Sequence, residues 1–150
     1  LVIVGATHIG QVLADFADRL GWKVSVVDPR TAFATEARFA GVPLYTNWPK
    51  TSLADLVLDS RTAVVTLTHV GNIDDEALTS ALSSEAFYIG ALGSKRNHAA
   101  RSDRLQRAGV TDAGITRIRA PVGLDISAEG PEEIAVSVLA EIVRDLRAAR

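Results

Sequence analysis

The sequence predicts a doubly wound α/β fold, with a parallel sheet between two layers of helices. Three observations carry this reading. Short β-branched runs alternate along the chain with stretches of helical period. The runs lack polar alternation, as strands buried on both faces do. The first run ends in a glycine turn and a helix, the crossover that parallel strands require and that is nearly always right-handed.

Leu1–Val4 is the first strand, closed by Gly5. Ile9, Val12, Leu13, Phe16, Ala17 and Leu20 recur at helical spacing, and Gly21 is a stop signal. Lys23–Val27 is a second β-branched run that ends at Asp28-Pro29-Arg30. Phe33–Ala40 is read as a short helix, Pro43–Tyr45 as a short third strand and Ser52–Leu58 as a helix. Ala63–Leu67 is the fourth strand and enters Thr68-His69. Asn72 can cap a helix to Leu82, with Asp74, Asp75 and Glu76 in its first turn. Ala86–Ile89 is the fifth strand, ending at Gly90. Ser94 caps a basic helix to Ala108, a short helix covers Asp112–Ile118, and Pro131 suits the first turn of a last helix. The expected strand order is 3-2-1-4-5.

Composition narrows the function classes. The 150 residues are 47% hydrophobic and 23% charged, with net charge −2, which fits one folded domain and excludes a disordered chain. The slight acidity argues against nucleic acid as a partner, since such proteins carry a basic face. No apolar run approaches the roughly 20 residues of a membrane helix, and no signal peptide is visible, so the expected compartment is the cytoplasm. Cysteine is absent, which removes disulfides, zinc–thiolate sites and thiol nucleophiles from this stretch. The chain opens in mid-strand and contains no Met. Residues 1–150 are therefore expected to be one domain from a longer protein whose N-terminal part is absent.

The turn Gly5-Ala6-Thr7-His8-Ile9-Gly10 places Gly5 and Gly10 where a Rossmann-like dinucleotide fingerprint has its first and third glycines. Asp28 stands where the ribose-binding acid belongs. The first glycine permits the tight turn, and the third lets helix and strand pack closely. The helix N-terminus offers free N–H groups to an anion. Thr7 occupies the second position, where a Cβ obstructs the approach of a pyrophosphate. The same pattern also suits a βαβ unit that binds nothing at this turn.

A second loop, Gly93-Ser94-Lys95-Arg96, brings a capping hydroxyl and two cations to a helix start, a candidate anion site or a solvated basic turn. Arg101, Arg104 and Arg107 follow at spacings of three, which suits exposure. His8 follows strand one and His69 follows strand four, and those strands are neighbours at the topological switch point where such sheets bind ligands. His98 lies one turn into the next helix. No spacing among these histidines and Asp28, Asp74 and Asp125 is diagnostic of a metal. Pro121-Val122-Gly123-Leu124-Asp125-Ile126 is irregular and serves either binding or the docking of the last helix.

Five stretches taken together resemble the Rossmann domain of the XdhC/CoxI family, the xanthine dehydrogenase accessory proteins. They are Gly5 to Gly10, Val26 to Arg30, Leu67-Thr68-His69, Tyr88 to Arg96, and Pro121 to Ile126 with Pro131 to Glu141. The resemblance covers nearly the whole chain. It departs at Thr7, often Gly in the family, at Val70, often acidic, and at Lys95, commonly Arg. Lysine is not a bidentate donor.

The resemblance implies a maturation factor rather than an independent catalyst. Such a protein binds the molybdenum cofactor, assists its sulfuration and delivers it to a molybdenum hydroxylase of the xanthine dehydrogenase type. It implies a cysteine desulfurase as sulfur donor, and a homodimer. On that reading Gly5, Thr7, His8 and Gly10 form one rim, with Asp28 facing a polar group. His69 lies on the floor, and Gly93, Ser94, Lys95 and Arg96 form the anion-binding rim. Two alternatives stay open: an NAD(P)-binding domain of an oxidoreductase, and a nucleotide-sensing regulatory module.

Overall fold

The computed structural model describes residues 1–148. Six strands form one parallel sheet: β1 (Val2–Val4), β2 (Ser25–Val27), β3 (Leu44–Tyr45), β4 (Ala63–Thr66), β5 (Tyr88–Ala91) and β6 (Ile118–Arg119). Their order is β3-β2-β1-β4-β5-β6. The expected order is therefore present, extended by a sixth strand beside β5. The helices are α1 (His8–Arg19), α2 (Pro49–Asp55), α3 (Gly71–Leu82), α4 (Lys95–Arg107), α5 (Asp112–Ile115) and α6 (Pro131–Ala148).

The strands have no polar face because both faces are covered. Along β1, Ile3 points into one apolar layer, with Leu13, Val65, Val138 and Ile142, beneath α1 and α6. Val2 and Val4 point into the other, with Val64, Leu78, Ile89 and Leu105, beneath α2, α3 and α4. The period of two along a strand divides the residues between the layers. No helix among the described residues is long and apolar enough to cross a membrane.

Local signals erred where tertiary contacts decide. Phe33–Ala40 forms successive turns and no helix. Buried Ala34 and Phe39 pin it to the sheet, and the Arg38 guanidinium caps the Phe33 carbonyl from outside. The second helix starts at Pro49, ahead of Ser52, because proline is pre-set for the first helical position. Helix α3 starts at Gly71 with Val70 in the cap position, and Asn72 lies inside it. The fifth strand runs through Gly90 to Ala91, because Gly90 is needed inside the strand: a Cβ there would lie 2.5 Å from Val122 Cγ2. The stretch read as one helix over Asp112–Ile118 is the short α5 followed by β6.

Candidate functional site

The carboxyl ends of β1, β4 and β5 meet at one edge of the sheet, and their turns press on each other. Gly5 leaves β1 at φ +124°, and a Cβ there would lie 3.0 Å from the Leu67 carbonyl carbon and from the Thr68 nitrogen. A Cβ on Gly10 would lie 2.6 Å from the Gly5 carbonyl oxygen. Both glycines are therefore fixed by close backbone approach. Thr7 is the N-cap of α1: its backbone is extended, and its hydroxyl accepts from the Gly10 N–H at 3.1 Å. The hydroxyl satisfies one helix donor from within the chain, which leaves fewer for a bound anion.

Asp28 is fully buried at the end of β2. Its Oδ2 accepts from the Ala6 N–H at 2.8 Å and from Arg30 Nη2 at 2.7 Å. Its Oδ1 accepts from the Arg30 backbone N–H and from Arg30 Nε, both at 2.9 Å. Burial pushes the Asp28 carboxyl up, but the Arg30 side chain and the Ala6 and Arg30 N–H groups outweigh it and hold the carboxyl below its ordinary range. Arg30 lies over the Phe33 ring, 4.7 Å from its centroid. Arg38 straps the same turn from outside, donating to the Ala6 carbonyl at 2.7 Å and to Gln11 Oε1 at 2.7 Å.

The histidines do not converge on one point. His8 is exposed, and its Nε2 lies 3.7 Å from Glu132 Oε1 at the start of α6. His69 is exposed on the turn after β4, at φ 58°. A left-handed non-glycine residue at a strand end is a conformation that surrounding structure must hold in place. Here Thr68 contributes: its hydroxyl accepts from the Val70 N–H at 3.0 Å and donates to Asp74 Oδ1 at 2.6 Å. His98 is half-buried, and burial followed by the Arg101 charge lowers its pKa.

The second loop matches the sequence in outline. Ser94 caps α4 by accepting from the Asn97 N–H at 3.1 Å, and Gly93 turns at φ +134°. Lys95 and Arg96 are exposed on the first turn of α4. Arg101, expected on the surface, is instead 5% exposed beneath this loop. Its Nη2 donates to the Leu92 carbonyl at 2.8 Å, while Nε and Nη1 have no acceptor. The signal for its burial is the spacing to Leu105, the other buried residue of α4, one helical turn on. His69, Asp74, Leu92, Asn97, Arg101 and Arg104 line a cavity of about 220 Å³ between α3 and α4. Asp74, which reads in the sequence as a first-turn acid and a possible metal ligand without diagnostic spacing, is 2% exposed on its wall. Among the described residues no group of three or more His, Asp or Glu is placed to hold a metal ion.

Known proteins are similar to this chain in sequence and fold. The family model described as the XdhC Rossmann domain matches residues 1–142. A protein of Bacillus subtilis (strain 168) described as a probable subunit of xanthine dehydrogenase is 37% identical over 145 residues, 96% of this chain and 42% of its own length. The molybdenum cofactor insertion chaperone PaoD of Escherichia coli (strain K12) is 40% identical over 89 residues, 59% of this chain and 28% of its own. A crystal structure described as a xanthine dehydrogenase from Bacillus halodurans superposes with a TM-score of 0.83 at 31% identity, covering 99% of this chain and 43% of that one. The chain thus spans less than half the length of each of these proteins.

Proposed function

This chain belongs to the family of XdhC Rossmann domains, and from that premise we propose that it holds the molybdenum cofactor as cargo during maturation of a molybdenum hydroxylase of the xanthine dehydrogenase type. The insertion chaperone among its relatives supports that role. The observation that carries it is the edge formed by β4, β5 and the start of α4. There the exposed Lys95 and Arg96 stand at a helix N-terminus, and the buried Arg101 braces the loop before it through the Leu92 carbonyl. Those cations fit a ligand with a terminal phosphate. Gly5, Thr7, His8 and Gly10 form the opposite rim in this reading, and His69 stands between them.

The chain's own part is to bind, orient and release. Sulfuration of the cargo draws on a sulfur donor, for which we propose a cysteine desulfurase, since this stretch contains no cysteine. We further propose that the full-length protein acts as a homodimer in the cytoplasm. The NAD(P) reading rests on Gly5, Gly10 and Asp28. It requires Asp28 to release Arg30 before a ribose diol could bind, because Arg30 already occupies both carboxylate oxygens.

The test uses the full-length protein purified from a host that makes molybdenum cofactor. Bound pterin is oxidised, released and measured by fluorescence, beside a Lys95→Ala/Arg96→Ala variant. Near-stoichiometric pterin that falls in the variant is the expected result. Equal pterin in both removes Lys95 and Arg96 from the site. Pterin in neither overturns stable carriage and makes NAD(P) titration the next measurement.

A further inference from the structure

Helix α6 is apolar on two sides. Ala135, Val138 and Ile142 are fully buried in the layer that α6 shares with α1 and the sheet. On the other side Val136, Ala140 and Val143 follow one another at spacings of four and three, so they share one face. Val136 is 47% exposed, and Ala140 and Val143 are partly exposed. A surface helix ordinarily turns one apolar stripe to the core and a polar face to water. Helix α6 carries a second stripe where the polar face belongs.

Opposite charges bracket that stripe. Glu133 stands seven residues before Ala140 and Arg147 seven residues after it, and both are exposed. Glu133 accepts the Glu129 N–H, but neither Glu133 nor Arg147 has an ion-pair partner among the described residues. An acid at a helix start and a base at its end suit the helix dipole. The dipole does not account for the apolar residues between them.

The pattern is self-complementary. A second α6 laid antiparallel across the first, with the two Ala140 residues at the crossing, sets Glu133 of each copy opposite Arg147 of the other. Val136 and Val143 flank the crossing, where the small Ala140 side chain lets the helices approach to about 8–10 Å. A twofold contact uses the same patch on both copies, as this geometry does. A parallel pairing would instead set Glu133 against Glu133 and Arg147 against Arg147.

We infer that the outer face of α6 is the self-association surface of this protein, an antiparallel twofold helix contact centred on Ala140. The inference rests on the homodimer proposed above and deepens it by giving the dimer a surface. It is independent of the cargo, which the pterin measurement tests separately.

The experiment follows the mass of the full-length protein by analytical ultracentrifugation over a concentration series. Wild type is compared with Glu133→Arg, Arg147→Glu and the Glu133→Arg/Arg147→Glu pair. Each single reversal opposes like charges at both ends of the contact and should weaken the dimer at least about tenfold. The pair restores opposite charges and should recover the wild-type dimer, which a folding defect would not do. Ala140→Arg, with a long charged side chain at the crossing, should leave monomer. A dimer that neither the single reversals nor Ala140→Arg weaken overturns the surface and leaves the homodimer standing. Weakening by the single reversals without recovery in the pair overturns the antiparallel contact. A wild-type monomer at all concentrations, as when another domain covers α6, overturns both the surface and the homodimer.

Discussion

Arg30 closes on Asp28 across a single intervening residue and takes both of its carboxylate oxygens, at 2.9 and 2.7 Å. The same carboxylate holds the Ala6 N–H of the glycine turn. One buried acid thus ties the end of β2 to the turn after β1. Asp28→Ala leaves the Ala6 N–H buried and unpaired, a loss of about 1–3 kcal/mol. Arg30 has 29% of its side chain exposed and can turn to water. The cost should therefore stay below the roughly 3–5 kcal/mol of breaking a fully buried pair. Urea unfolding of the two proteins measures the difference, and a change under about 0.5 kcal/mol would show that the pair contributes nothing.

The two buried aspartates give stability opposite pH dependences. The Asp28 carboxyl is lowered in the folded state, so its stabilisation is full above the ordinary carboxylate range and is lost as pH falls through the folded value. The Asp74 carboxyl is raised, chiefly by burial and despite its Thr68 hydrogen bond. The folded state therefore keeps the Asp74 proton longer than the unfolded chain does. Stability is lost as pH rises from the unfolded value of 3.8 through the folded one. Asp74→Asn should gain stability relative to wild type as pH rises above about 4, while the deficit of Asp28→Asn should be full above the ordinary carboxylate range and close as pH falls below it. Parallel curves for wild type and Asp74→Asn above about pH 4 would contradict the first assignment.

Much of this is legible in the chain, and the limits follow from range. The sheet order is readable because buried parallel strands are apolar on both faces and need long crossovers, features that Leu1–Val4 and Ala63–Leu67 carry on their own. The cap by Ser94 is a local signal and equally readable. The expected Phe33–Ala40 helix is missing because what shapes that segment is Arg38 reaching to Ala6, a contact across 32 residues. Arg101 reads as a surface residue because its charge and its place among Arg104 and Arg107 outweigh the single spacing to Leu105, and only the fold brings the Leu92 carbonyl to its guanidinium. Of the proposed site, the two rims are visible as motifs. The cavity wall is not, since Asp74 and Arg101 look like ordinary surface residues of two separate helices.

The two kinds of glycine should respond differently to substitution. A Cβ at Gly10 would lie 2.6 Å from the Gly5 carbonyl oxygen, backbone that cannot step aside without opening the turn. Gly10→Ala should cost at least about 1–3 kcal/mol, the range of overpacked sites. Gly21 sits at φ +74°, and a Cβ there would meet no atom within 4 Å, so Gly21→Ala carries conformational strain alone. That strain is about 1 kcal/mol. Thermal unfolding of both variants ranks them, and a Gly21→Ala loss equal to or larger than that of Gly10→Ala would refute the close-approach argument.

Thr7 separates stability from ligand choice. Its hydroxyl caps α1 through the Gly10 N–H, so Thr7→Ala should cost about 1 kcal/mol, whereas Thr7→Gly should cost only a few tenths. The glycine variant also removes the Cβ at the position where a dinucleotide fingerprint needs none, and it frees the Gly10 N–H for a phosphate. If the turn were held back from NAD(P) by Thr7 alone, Thr7→Gly would acquire measurable NAD(P) affinity. We expect none, because Arg30 still occupies Asp28 and the ribose has no acceptor. A Thr7→Gly/Arg30→Ala pair removes both obstacles. Titration of NAD(P) into the single and double variants therefore tells which residue sets the ligand class: affinity in the single variant assigns it to Thr7, and affinity only in the pair assigns it to the Asp28–Arg30 contact.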